Sequence, residues 1–337
     1  MSYELSPMNP TNPTNHVKLA LVCTRGGHFE QMTNLADFYN RFDHFWITNK
    51  NKQTESELAG ERKYYINPGH FTKPWTYLFQ LPGVIRAFVV EKPTHLLSTG
   101  SGMTAFVPYL LAKVLNKQFV HIDTFSRVFG YSKFGNFMLK VGHPILSQWE
   151  DPDNEKVTYI GPIFKKTDDI EKKTGSDFIF VTLGTRDEPF TRLIQAVEEL
   201  VKNGFITEKV IVQAGNTRYA SEHMHLFDFC TPAEIDDYIL NARFVVTQES
   251  AGIGTKCLKF KTPFVVMPRD YQYGELVAKS DMNEDLHLKL EELGYTRVVH
   301  NTDELEAAVK EIDKLKTGFV FDNRLAIETL ERMITGV

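Results

Sequence analysis

Residues 18–30 read KLALVCTRGGHFE, and they set a histidine, His28, directly behind two glycines, Gly26 and Gly27. An apolar run closed by glycines reads as a buried strand turning into a helix. The glycines remove side chains where a ligand or another backbone comes close. A ring in that place faces the crevice at the strand end, and with an ordinary pKa near 6.5 it suits the removal of a proton from a hydroxyl nucleophile. The alternative is a ring that caps the helix or satisfies a core carbonyl.

A second junction, VTQESAGIGTKCLKFKTP at 246–263, gathers Ser250, Ala251, Gly252, Ile253, Gly254 and Thr255 between an apolar strand and a helix. Small residues and free amides at a helix N-terminus suit a diphosphate, and a tight turn used only for packing is the alternative. The stretch lacks the lysine and hydroxyl ending of a P-loop and is not G-x-G-x-x-G, which disfavours a P-loop kinase or ATPase. Glu249 beside it is the second candidate base. Gly184 and Thr185 in TLGTRDEPF, and Gly100, Ser101 and Gly102 in STGSGMTAFVP, are further turns of the same kind.

These turns need strands to hold them. VKLALVC, THLLSTG, QFVHID, FIFVTLG, KVIVQAG, RFVVTQE and TPFVVMP alternate with helix-compatible segments such as FEQMTNLADFYNRF and MTAFVPYLLAKVL, which predicts βαβ units around parallel sheets. From Lys156 to Ser176 the pattern lapses into a charged, glycine-bounded linker, and then DFIFVTLGTRDEPFTRLIQAVEEL restarts much as the chain opened. Two nucleotide-fold openings imply tandem Rossmann-like halves with ligands at the strand ends. The expected division is a disordered arm at 1–15, one Rossmann-like domain at 16–165, a second at 166–320 and a terminal helix at 321–337.

The chain has 337 residues, 42% hydrophobic and 24% charged, with a formal charge of −5. That balance argues against a general nucleic-acid binder. The opening MSYELSPMNPTNPTN does not read as a signal peptide. Three scattered cysteines, Cys23, Cys230 and Cys257, do not suggest a disulfide framework or a zinc site. No window approaches the length of a membrane span. Two segments, 70–93 and 123–141, interleave aromatic residues with Lys73, Arg127, Lys133 and Lys140, as an anionic membrane surface or a lipid pyrophosphate would favour; ordinary core packing is the alternative.

Further short motifs, in order, carry a resemblance: GGHFEQM, HIDTFSRV, SKFG, LSQWE, then FIFVTLGTRDEPFTRLIQAV, VIVQAG and VVMPR. Over nearly the whole chain they resemble the inverting GT-B glycosyltransferases of family 28. Residues 17–150 look like the acceptor-side, membrane-recruiting subunit of the two-component UDP-GlcNAc transferase acting on dolichol-pyrophosphate-GlcNAc, and 177–315 look like its catalytic subunit. Bacterial exopolysaccharide relatives share both parts, and here they look fused.

The resemblance implies an α/β GT-B fold with two Rossmann-like domains facing a central cleft, and a metal-independent transfer from a UDP-sugar to a polyprenyl-pyrophosphate-linked saccharide. It implies no cofactor and a peripheral position on the cytoplasmic face of the cell membrane. Catalysis would fall to His28 or Glu249. The donor would meet Gly184, Thr185, Gln213, Ser250 to Thr255, Arg269, Asn283 and Asp285; the acceptor would meet Gly26, Gly27, Gly100, Ser101, Gly102, Asp123 and Arg127.

The chain departs from the family in QESAGIGT, where Gln248 or Ser250 replaces a histidine, in Lys256 at a ribose-binding acid's place, and in DMNED for Asp-His-Gln-x-Glu. UDP-GlcNAc is the family's usual donor, while Lys256 and Arg269 would suit UDP-glucuronate. A UDP-sugar 2-epimerase and a non-catalytic membrane adaptor are the rival readings.

Overall fold

The computed structural model describes residues 17–165, 178–277, 279 and 284–336. The arm expected at 1–15, most of the linker and Asn283 lie outside them. The chain divides into two compact units.

In the first unit, β1 (Lys18–Cys23) and α1 (Gly27–Thr33) lead through α2 (Ala36–Tyr39) to β2 (Asp43–Thr48), α3 (Lys52–Glu57), β3 (Lys63–Tyr65) and α4 (Leu81–Glu91). Then come β4 (His95–Thr99), α5 (Gly102–Val114), β5 (Gln118–Ile122), α6 (Lys133–Lys140), β6 (Ile145–Ser147) and β7 (Val157–Tyr159). The sheet is parallel, in the order β3-β2-β1-β4-β5-β6-β7. β1 is apolar on both faces because both are covered: Leu19, Leu21 and Cys23 pack with Phe29 and Met32, while Ala20 and Val22 pack with Val84 and Ala105.

The second unit runs β8 (Phe178–Thr182), α7 (Thr191–Lys202), β9 (Lys209–Gln213), β10 (His225–Phe227), α8 (Pro232–Asn241), β11 (Val245–Thr247) and α9 (Ala251–Lys259). It ends with β12 (Phe264–Val266), α10 (Asp285–Glu292), β13 (Thr296–Val298) and α11 (Thr302–Lys310). Its parallel order, β10-β9-β8-β11-β12-β13, repeats that of the first sheet with the opening strand again in the middle. The chain then returns to the first unit, where α12 (Arg324–Thr335) sets Ala326, Leu330 and Ile334 into the core beside α1.

Three local readings change. The helix expected over 29–42 breaks into α1 and α2, because Thr33 Oγ1 and Asn34 Nδ2 both donate to the Glu30 carbonyl and end the first helix. The lapse expected from Lys156 begins with β7, a three-residue edge strand paired with β6 and too short to show in the pattern. Residues 125–130, which follow β5, group with the second unit. No helix among the described residues is long and apolar enough to cross a membrane.

Candidate functional site

Carboxyl ends of neighbouring parallel strands are where an open α/β sheet meets ligands. In the first unit those ends belong to β1, β4 and β5. Gly26 enters α1 at φ 78°, a left-handed conformation that favours glycine, and a Cβ on Gly27 would touch nothing within 4 Å. The turn is therefore open on its outer side. His28 follows, its carbonyl accepting from Thr99 Oγ1 at 2.8 Å.

The His28 ring lies on the Gly100 turn, where a Cβ would fall 1.7 Å from Nδ1. Register places Ser98 on β4 opposite His121 on β5, with His121 Nδ1 3.4 Å from Ser98 Oγ. His121 Nε2 in turn is 3.8 Å from Asp123 Oδ1. Thr24 Oγ1, His28 Nδ1, His121 Nε2 and Asp123 Oδ1 are all buried and make no hydrogen bond. Such groups are costly to leave unmatched, and they gather at the carboxyl ends of β1, β4 and β5.

Burial pushes the His28 pKa down to about 4, the Asp123 carboxylate opposing that and His121 adding to it. The ring is neutral at neutral pH, the form that accepts a proton. Burial raises the Asp123 carboxyl, but the His121 ring and the Ser132 donors outweigh it and hold it below the ordinary value. Asp123 Oδ2 accepts from Ser132 N at 2.8 Å, and a Cβ on Gly135 would lie 2.7 Å from that oxygen. Gln148 Nε2 holds the Asp123 carbonyl and Gln31 Oε1 at 2.9 and 2.8 Å, fixing the loop from beneath.

The second unit offers the ends of β8, β9, β11 and β12. Ser250 caps α9, its Oγ accepting from Ile253 N, and the small residues behind it leave first-turn amides without helical partners. Gly254 leaves room for the buried His287 ring, whose pKa burial lowers to about 4, partly offset by the Ser250 backbone. Gly184 bends at φ 72° and packs directly under Gln248. Glu249 is half-buried, its Oε2 accepting from Arg269 N at 2.8 Å; burial raises its pKa against that bond.

The structure thus groups Gly26, Gly27, His28, Gly100, Ser101 and Asp123 at one sheet edge, and Gly184, Gln213 and Ser250 to Thr255 at the other. Several of the expected contact residues have partners within the protein. Arg269 is buried, donating to the carbonyls of Leu183, Glu188, Pro189 and Glu275 and to Gln248, so its charge organises loops. Gln213 holds Thr182 Oγ1, the Gly184 carbonyl and the Asp228 carbonyl. Gly102 is required by Phe134, 2.8 Å from where its Cβ would be, and Ser101 Oγ accepts from Met103 N as the cap of α5. Arg127 groups with the second unit, 3.2 Å from Asp285. Lys256 pairs with Asp236. Thr185 is exposed.

His121 and Ser98 were missed as site residues. A histidine and an aspartate two positions apart at a strand end share one face, a signal that HID carried.

Two Rossmann-like parallel sheets of one strand order, opening in turn and closed by a helix that returns to the first, define the GT-B fold. No protein-family model and no curated sequence matches the chain. Solved structures do. The chain is similar to UDP-GlcNAc 2-epimerase from Methanocaldococcus jannaschii (14% identity, 95% of this chain and 100% of that one, TM-score 0.65). It is similar to MurG from Acinetobacter baumannii (12%, 95% and 100%, 0.65) and to S. aureus MnaA solved with UDP (16%, 94% and 96%, 0.66).

Proposed function

We propose that this protein is an inverting glycosyltransferase of the family 28 type, moving a sugar from a UDP-sugar to a polyprenyl-pyrophosphate-linked saccharide. The observation that carries the reading is the neutral His28 ring over Gly100, with an unmatched Nδ1 among the unmatched atoms of His121 and Asp123. A sugar hydroxyl can donate to one of these groups and accept from another.

His28 takes the acceptor hydroxyl's proton as its oxygen attacks the donor's anomeric carbon. The new carbon–oxygen bond forms on the face opposite the nucleotide, the bond to the diphosphate breaks, and UDP leaves with the electron pair. Amides at the start of α9 stabilise the departing charge; removing one such donor typically costs ~3 kcal/mol of the barrier. Glu249 is the weaker candidate base because one of its oxygens is held by the Arg269 amide.

UDP-GlcNAc, the usual donor of the family the sequence resembles, is the donor of this reading. The UDP-glucuronate reading leaned on Arg269 and Lys256, and both are engaged inside the protein. The lipid half of the reading is supported by the exposed apolar side chains Trp75, Leu78, Phe79, Val89 and Val90, with Lys73 and Arg86 exposed among them. Beside them lies an apolar hollow of about 420 Å³ between Phe71, Tyr77, Leu78 and the α5 residues Phe106, Leu110 and Leu111. An anionic membrane surface suits that combination, which supports a peripheral position on the cytoplasmic face.

A UDP-sugar 2-epimerase is the second reading, favoured by the similar epimerase structures. The test is a panel of UDP-sugars with and without a short polyprenyl-pyrophosphate-sugar in detergent, each repeated with EDTA. Transfer that needs the lipid acceptor and survives EDTA supports the proposal. Conversion of a UDP-sugar alone supports the epimerase, and no UDP binding supports the adaptor.

A further inference from the structure

Gln248 stands at the end of β11, two residues before the α9 cap, and is 7% exposed. The two ends of an amide are told apart by their hydrogen bonds. Arg269 Nε can only donate, and it donates to Gln248 Oε1. That turns Nε2 the other way, onto the Gly184 turn, where a Cβ would fall 2.0 Å from it. Only a glycine at 184 leaves the amide this place.

Arg269 cannot swing out to a ligand. It is 2% exposed, sits 4.8 Å over the Phe190 ring, and is held by four backbone carbonyls from three segments. Gln248 Nε2, by contrast, makes no hydrogen bond among the described residues. A buried cation therefore lies behind an amide whose N–H groups rest on the Gly184 turn with no hydrogen-bond partner among the described residues, two positions before the cap of α9. Every feature of that arrangement favours an anionic oxygen.

We propose that Gln248 is a binding residue for the diphosphate of the sugar nucleotide, donating through Nε2, and that Arg269 is the positioning residue that orients the amide. The inference rests on the nucleotide-sugar reading and adds to it a polarity: the position demands a donor. The charge of Arg269 acts through Gln248 without a cation entering the site.

The test is calorimetric titration of the full chain with UDP and with uridine, comparing wild type with Q248E and Q248M, each checked by thermal unfolding. Q248E keeps a partner for Arg269 but presents an acceptor where a donor is needed. Its affinity for UDP should fall by roughly 30-fold or more, and that of Q248M by about 10-fold, the range expected for a hydrogen bond to a charged group. Uridine affinity should change less than about twofold, since it lacks the diphosphate. Wild-type UDP binding with Q248E within about threefold of it, or an equal loss of uridine, overturns this inference alone. No UDP binding by the wild type overturns the nucleotide reading and this one with it.

Discussion

Gly100 and His28 interlock: the imidazole occupies the space a Cβ at position 100 would take, 1.7 Å from Nδ1, while the Gly100 backbone holds φ at 87°. Clearance and conformation both demand glycine there. Gly100→Ala should cost about 1 kcal/mol or more in stability and displace the ring. Turnover should fall by about 10²-fold, since a small misplacement of a catalytic group is enough. Urea unfolding and steady-state rates measure the two effects separately, and wild-type turnover in G100A would show that the ring's position is irrelevant.

His28→Ala should lower turnover about 10²–10⁴-fold while UDP affinity stays within twofold. Glu249→Gln, which can still accept from the Arg269 amide, should lose less than tenfold. The reverse order would transfer the base's role to Glu249.

Acid should weaken the fold through its buried histidines. His28 and His287 are held at about 4 against an ordinary 6.5. Below pH 6.5 the unfolded chain binds protons that the folded chain refuses, so stability is full above that pH and is lost as pH falls toward 4. For His287, which is 1% exposed, the loss approaches about 3 kcal/mol. Urea midpoints at pH 7 and 4.5 should converge in His287→Gln relative to wild type. Glu198, held near 2 chiefly by the Ser221 hydroxyl, acts only at lower pH. The acid limb of kcat/KM should lie well below 6.5, and a limb at 6.5 would contradict the burial of His28.

Gly184→Ala should be among the most disruptive single substitutions of the second unit. Its Cβ would strike Gln248 Nε2 at 2.0 Å, and its φ of 72° strains any side chain. A loss of about 1–3 kcal/mol in urea unfolding, with weakened UDP binding, is expected. Gly252→Ala, whose Cβ meets only Ser250 Oγ at 4.0 Å, is the control and should be nearly silent in stability.

Phe79 is 68% exposed and Leu78 63%. Phe79→Asp should leave the melting temperature within about a degree and weaken binding to anionic vesicles by about tenfold or more, the worth of one apolar side chain removed from water. Unchanged co-sedimentation would remove this face from the membrane reading.

Much of this protein could be read along the chain. Strands buried on both faces, such as KLALVC and FIFVT, declare themselves because a parallel sheet needs continuous apolar runs, and the glycine turns behind them declare the ligand edge. The repeat of strand, turn and helix was enough for two Rossmann-like halves. Short, partly exposed edge strands such as β7 and β10 were not legible, since three residues carry no periodicity.

What only the tertiary structure decided is who stands beside whom. Local sequence places Arg269 after a strand end and Arg127 after Asp123, yet long-range packing buries the first among carbonyls of distant loops and pairs the second with Asp285. Likewise no local pattern told that the His28 ring would lie on Gly100, or that Gln248 would lie on Gly184. Periodicity and turn chemistry are written in neighbouring residues, so the sequence alone determined the strands, the turns and the histidine at the first of them. Hydrogen-bond partners 86, 117 and 158 positions apart depend on how the sheets assemble, so the charge and orientation of each site group were settled by the fold.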